Sequence, residues 1–150
     1  MIVAATSIDG KDLSEIAILS KAFWGYAEVH LESWREELTV TTKILQECTV
    51  CKFMVGTEPA GFYVLNPPED ESIELEMLFV LPKYIGKGIG SQLLENVLCK
   101  VKKMQLKSIS LVADLNAVPF YESKGFYKID SKESSILGRF LPVLKKDVAA

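Results

Sequence analysis

Apolar and polar positions change period several times along this chain, and each change marks an element. Residues 2–7 (IVAATS) read as a short strand. Asp12 followed by Glu15 has capping-box spacing, and Leu13, Ile16, Leu19 and Phe23 make an apolar stripe on the helix that follows. Gly25 breaks this helix. A second begins near Tyr26, with Ala27, Leu31, Trp34 and Leu38 along one side. Residues 39–47 leave room for a third short helical turn. Residues 48–57 and 61–65 then read as a hairpin turning through Glu58, Pro59 and Ala60, and 66–71 (NPPEDE) as an exposed acidic loop.

The strongest pattern lies at 72–104. Ile73, Leu75 and Met77 alternate with Glu74 and Glu76, the period of a half-covered strand. From Met77 to Leu81 the alternation becomes an unbroken apolar run, which predicts a strand end covered on both faces. Pro82 closes the strand. Gly86, Gly88 and Gly90 then permit a tight turn and close backbone approach to a ligand. Leu93, Leu94, Val97, Leu98, Val101 and Met104 follow at helical spacing. Residues 108–113 predict a buried strand and 116–124 a short helix stopped by Gly125. Residues 126–130 and 136–144 predict a final antiparallel pair, with Pro142 marking an edge or a bulge. Strands and helices in this order predict an α+β fold with a mixed sheet.

A strand that feeds a glycine loop at a helix N-terminus is an anion site, because unpaired amides and the helix dipole both point into the loop. The predicted ligand therefore carries phosphate. The spacing is neither a Walker A loop nor a dinucleotide fingerprint: Lys87 is followed by Gly88, and Ser91 and Leu93 stand where the latter needs glycine. What remains is GxGxG after V-x-P.

Composition narrows the partners. The chain has 150 residues, enough for one domain over 1–150, and its 49% hydrophobic and 25% charged content is that of an ordinary globular protein. A net charge of −3 argues against nucleic acid as a partner. No apolar stretch approaches spanning length and no secretory leader pattern opens the chain, so the expectation is a cytoplasmic protein with no membrane partner. Three cysteines do not make a disulfide framework. Cys48 and Cys51 lack a second CxxC or a paired histidine, so no metal is expected.

Residues 80–90 (VLPKYIGKGIG) resemble the acyl-CoA pyrophosphate loop of the GNAT superfamily of N-acetyltransferases, and 116–126 (NAVPFYESKGF) resemble that family's second motif. The resemblance implies a GNAT-like fold: a central mixed, mostly antiparallel sheet with helices on both faces and a splayed central strand pair. It implies acetyl-CoA as cosubstrate, held by Phe79, Val80, Ile85, Gly86, Lys87, Gly88, Ile89, Gly90, Ser91, Asn116 and Phe120. The family's Gln/Arg position falls on Ile85, so a side-chain phosphate donor is missing there, and Lys83 or Lys87 are the nearest substitute charges.

The resemblance also implies acetyl transfer to a primary amine by direct attack in a ternary complex. Tyr121 matches the family's tyrosine that protonates or hydrogen-bonds the CoA sulfur, and a backbone N–H near Phe79 or Val80 is the expected oxyanion donor. Glu76 is the expected base, ahead of Glu74 because it lies nearer the buried end of the strand, where desolvation raises a carboxyl pKa. His30 is a lesser candidate. Trp24, Tyr26 and Trp34 fall where the family builds its acceptor pocket. The acceptor is a small-molecule or peptide amine, and a homodimer is compatible. The alternative is an acyl-CoA-sensing module without turnover, which Ile85 favours and the pair Tyr121 and Glu76 disfavours.

Overall fold

The structure, a computed structural model, describes residues 1–134 and 138–148. Its elements in chain order are β1 (Ile2–Ala4), α1 (Gly10–Ala22), α2 (Glu28–Trp34), α3 (Thr42–Glu47), β2 (Thr49–Val55), β3 (Glu58–Leu65) and β4 (Ser72–Val80). They continue with α4 (Ile89–Lys103), β5 (Ser108–Val112), α5 (Val118–Ser123), β6 (Tyr127–Glu133) and β7 (Phe140–Asp147). Short 3-10 turns at Pro82–Tyr84 and Leu115–Ala117 lead into α4 and α5.

The strands form one sheet of order β1-β2-β3-β4-β5-β7-β6. Every neighbouring pair is antiparallel except β4 and β5, which run parallel because α4 carries the chain across between them. That parallel pairing is brief. It joins Ser72 to Ser108, Ile73 to Ile109 and Glu74 to Ser110, and then the strands part. Leu75 and residues 77–80 of β4 pair with β3 on one side, and the strand faces an open wedge on the other. The expected splay is present.

Two cores hold the sheet between helices. On one face Tyr63, Leu65, Ile73, Leu75 and Ile109 pack against Leu93, Leu94, Val97 and Val101 of α4. On the other, Phe62, Val64 and Met77 pack against Leu13, Ile16 and Ala17 of α1 and against Trp34 and Leu38. β3 is covered on both sides, which is why 60–65 are all buried. Each fully buried side chain of this kind contributes about 1.5–3 kcal/mol.

Met77 lies on the opposite face from Ile73 and Leu75, contrary to the simple alternation. Val64 pairs with Met77 and Leu65 with Leu75, so Glu76 is an extra residue that no β3 residue opposes. This bulge reverses the side-chain alternation. Nor is the apolar run at 78–81 closed over. Leu78, Phe79, Val80 and Leu81 are only half-buried, because the strand end borders the wedge.

Other boundaries moved for local reasons. α1 starts at Gly10, ahead of the Asp12 cap, and Leu19 and Phe23 are exposed while Ala17 and Ser20 take the buried stripe. The third helical turn is α3, capped by Thr41 Oγ1 accepting from Ile44 N–H at 3.2 Å. The β2–β3 hairpin turns at Gly56 and Thr57, where Gly56 has φ +61°, and Pro59 sits inside β3 beside a register shift. Met104 is 41% exposed, past the end of α4. β7 is an inner strand, so Pro142 marks no edge, while a register shift between Lys128 and Asp130 of β6 puts an irregularity opposite Leu144 and Val143, next to Pro142. Its carbonyl accepts from Ala113 N–H, and its nitrogen points the same way, past the end of β5, where no ladder bond is needed. The expected strand start at Ile136 and Leu137 lies outside the described residues.

Candidate active site

The wedge between β4 and β5 opens into a cleft of about 580 Å³. Its floor is residues 75–80 of β4. One wall is the glycine loop with the start of α4, and the other is 111–114 with Asn116, Ala117, Phe120 and Tyr121. Ser20, Lys21 and Trp24 of α1 and its end, with Glu37 and Leu38, line the far end. Of the residues singled out from sequence, Glu76, Phe79, Val80, Ile85, Gly86, Gly88, Ile89, Gly90, Ser91, Asn116, Phe120 and Tyr121 all line this one space.

Lys87 is exposed on the loop and is not among the lining residues. Lys83 is turned away too, its Nζ 2.8 Å from Glu58 Oε1, with Tyr84 donating its hydroxyl to the same oxygen at 2.5 Å. The loop's capacity for anions therefore rests on backbone. Gln92 N–H donates to Gly88 at 3.1 Å as the helix begins, and the amides of 86–91 have no backbone partner among the described residues. Gly86 and Gly88 hold φ of +86° and +80°, and a Cβ on either would meet no protein atom within 4 Å. Open space over unpaired amides at a helix N-terminus fits a diphosphate. Ile85, 41% exposed at the cleft rim, adds apolar surface there and no donor.

The floor also presents amides. Leu81 N–H donates to Ala60 of the neighbouring strand at 2.8 Å, so by two-residue alternation the Phe79 amide also points to β3. The Leu78 and Val80 amides point the other way, into the wedge that β5 has left. The expected donor is thus at Leu78 or Val80, and the Phe79 amide is committed to its strand neighbour.

Tyr121, 7% exposed, packs edge-on against Phe120 and Phe126 with ring centroids 5.1 and 5.5 Å away. Burial alone pushes its phenol far above the ordinary value, so it stays protonated. The carboxylates reverse the expected order. Glu74 is half-buried and Glu76 exposed, because the bulge carries Glu76 outward to the cleft while Glu74 stays between β4 and β5. Burial first, and then the charge of Glu76, push the Glu74 carboxyl up. Asn66 Nδ2 donates to both, at 2.9 Å to Glu74 and 3.0 Å to Glu76.

Sequence reasoning missed Lys21, Glu37 and Asp114. Asp114 caps the turn into α5 by accepting from Asn116 N–H at 2.9 Å, takes Lys21 Nζ at 2.6 Å, and accepts the Tyr26 hydroxyl at 2.9 and 3.0 Å. Arg139 Nη2 donates to Tyr26 at 2.6 Å, with its guanidinium 5.0 Å from the Tyr26 ring centre. Burial would raise Asp114, but the Lys21 ammonium and these donors outweigh it and hold the carboxyl below its usual value. The only earlier signal was Tyr26 and Trp34 at helical spacing; they meet edge to face at 4.9 Å. His30 stacks on Trp34 at 5.9 Å and is not among the cleft residues. Among the described residues no His, Cys, Asp or Glu cluster has the make-up of a metal site, and no helix is long and apolar enough to cross a membrane.

A mixed sheet splayed at its parallel pair, with a glycine-loop helix N-terminus over the splay, is the architecture of the GNAT acetyltransferase fold. The chain belongs to the GNAT family: the model of the acetyltransferase (GNAT) domain matches residues 10–142. It is by that membership an N-acetyltransferase. The fold is shared with PaiA N-acetyltransferase of Thermoplasma acidophilum, solved in complex with coenzyme A, at 23% identity and TM-score 0.84 over 98% of both chains. It is shared too with a GCN5-related N-acetyltransferase of Rhodopseudomonas palustris, at 20% identity and TM-score 0.82 over 98% of this chain and 94% of that one. A third is the ribosomal-protein-S18-alanine N-acetyltransferase of Escherichia coli, at 16% identity and TM-score 0.75 over 100% and 94%. No curated protein sequence matches this chain.

Proposed function

We propose that this N-acetyltransferase binds acetyl-CoA with its diphosphate on the amides of 86–91 and its pantetheine arm in the wedge between β4 and β5. The amine of a small molecule or peptide attacks the thioester directly in the ternary complex. The observation that carries this reading is the row of unpartnered loop amides opening, over Gly86 and Gly88, into the same cleft that Tyr121 and Glu76 line.

The amide of Leu78 or Val80 stabilises the negative charge that develops on the thioester oxygen, a contribution typically worth about 10²–10³ in rate. Tyr121, kept protonated by its surroundings, donates a hydrogen bond to the departing sulfur. Burial makes the phenol a weaker acid than the CoA thiol, so its part is hydrogen bonding and the thiolate takes its proton in the end from the amine or from water. Glu76 takes a proton from the acceptor ammonium, directly or through water, as an exposed carboxylate at the cleft wall.

Isothermal titration with CoA, together with thiol release from acetyl-CoA across a panel of primary amines, tests this. Saturable CoA binding with amine-dependent thiol release is expected. Absence of CoA binding overturns the reading, and binding without release by any amine returns the chain to a sensing role, the reading that the apolar Ile85 at the rim favours.

A further inference from the structure

Glu76 stands at the cleft wall, yet what holds it there lies outside the cleft. Asn66, the first residue after β3, donates its backbone N–H to the Glu74 carbonyl at 2.9 Å and its side-chain nitrogen to both carboxylates, at 2.9 and 3.0 Å. Cys48 Sγ, at the end of α3, meets Asn66 Oδ1 at 3.7 Å. Its thiol is pushed up by burial and then by Glu47 and Glu76, so it remains a neutral donor and fixes which end of the amide faces the carboxylates. Two carboxylates sharing one nitrogen are close enough to repel, and the Glu76 charge adds to the burial that pushes the Glu74 carboxyl up.

We propose that Asn66 and Glu74 are positioning residues for Glu76: the Asn66 amide, itself anchored on the Glu74 carboxylate, fixes the Glu76 carboxylate at the cleft wall. This rests on Glu76 being the group that receives the acceptor's proton. In the step, the N–H bond of the ammonium breaks, its electron pair stays on nitrogen, and a Glu76 oxygen binds the proton. The freed pair then attacks the thioester carbon. Glu74 is suited to the part because β4 and β5 hold it half-buried, with its Oε1 2.9 Å from the same Asn66 nitrogen that Glu76 takes. The charged groups around the pair are Lys132 of β6, which opposes protonation of Glu74, and Glu47 beside the Cys48 thiol; β5 presents the neutral Ser110 opposite Glu74.

The shared Asn66 nitrogen ties the two carboxylates together, so the titration of Glu74 reports the arrangement without any acceptor. The full chain carrying ¹³C-carboxyl glutamate is titrated by NMR as wild type, Glu76→Gln and Asn66→Ala. The Glu74 midpoint is expected to fall by about half a pH unit or more in Glu76→Gln and to rise in Asn66→Ala. An unchanged Glu74 midpoint in Glu76→Gln overturns the proposal. Thiol release from acetyl-CoA is followed in parallel with ethylamine and benzylamine as probes. Asn66→Ala is expected to lower kcat/KM for the amine roughly ten- to hundredfold, leaving the KM for acetyl-CoA unchanged. If Asn66→Ala fails to fold, Asn66→Asp replaces it: it removes the donor and adds a charge, so the Glu74 midpoint rises further. Full turnover by Glu76→Gln removes Glu76 as the base and the proposal with it, while CoA titration of that variant shows separately whether the glycine-loop reading stands.

Discussion

Lys21 Nζ lies 2.6 Å from Asp114 Oδ2, and that bond joins the helix on one face of the sheet to the turn that launches α5. Both side chains are mostly covered, at 18% and 14% exposure. The same carboxylate caps Asn116 and takes the Tyr26 hydroxyl, so the segment carrying Tyr121 and the segment carrying Trp24 are referenced to one anion.

Replacing Asp114 by Asn is expected to cost about 3 kcal/mol, since it leaves Lys21 as a poorly compensated charge. The folded carboxyl sits below its ordinary value of 3.8, so its contribution is present above that pH and is lost as pH falls through the lower folded value. Urea unfolding from neutral pH downward checks this. The gap between wild type and Asp114→Asn should close below pH 3.8, and a constant gap would assign it to packing alone.

The backbone of the loop offers a matched pair of substitutions. Gly88 needs its left-handed conformation and faces open space, so Gly88→Val both strains the turn and places a branched side chain over the phosphate site. CoA affinity should fall at least tenfold by calorimetry. At Gly90 a Cβ would rest 3.7 Å from the Phe120 ring and 3.9 Å from Val80, ordinary contacts with two residues that line the cleft. Gly90→Ala, which needs no left-handed backbone, should therefore keep its stability and lose less CoA affinity than Gly88→Val. Equal affinity in all three proteins would move the diphosphate elsewhere.

The central strand, the glycine loop and α4 were legible because local rules agree there: period two, a proline stop, three glycines, then helical spacing. The cleft residues adjoining that run followed from it. The bulge at Glu76 was not legible. It depends on how β3 pairs with β4, and nothing local in IELEM announces an extra residue. That one offset moved Met77 to the other face and exchanged the burial of the two glutamates. Lys21 and Asp114, 93 positions apart in the chain, left no joint trace in the pattern, because an ion pair between surface-type residues has no periodicity. The edge expected at Pro142 failed for a related reason, although a register shift does lie next to it: strand order is a property of the sheet, and a proline is tolerated in an inner strand where its neighbour ends.

Gly61 is glycine for want of space. A Cβ there would lie 2.8 Å from the Phe79 carbonyl oxygen and 3.2 Å from Leu93 Cδ1, where β3, β4 and α4 meet. Gly61→Ala is expected to destabilise the protein by about 1–3 kcal/mol. Because the clash is against the cleft floor, acetyl-CoA affinity should fall with it. Chemical denaturation and calorimetry on the same sample check both, and a neutral change would mean that β4 shifts freely.

Tyr121 separates packing from chemistry. Its ring contacts with Phe120 and Phe126 survive in Tyr121→Phe, and the hydroxyl has no hydrogen bond to a described residue, so stability should be unchanged within about 0.5 kcal/mol. Catalysis should not survive so well. Loss of the donor to the departing sulfur should lower kcat roughly ten- to hundredfold with little effect on the KM for acetyl-CoA. Since burial holds the phenol protonated far above its ordinary value, the alkaline side of the wild-type pH–rate profile should carry no limb from Tyr121. A limb near pH 10 that disappears in Tyr121→Phe would show that solvent reaches the hydroxyl. Equal turnover by the variant would leave Tyr121 only its packing against Phe120 and Phe126.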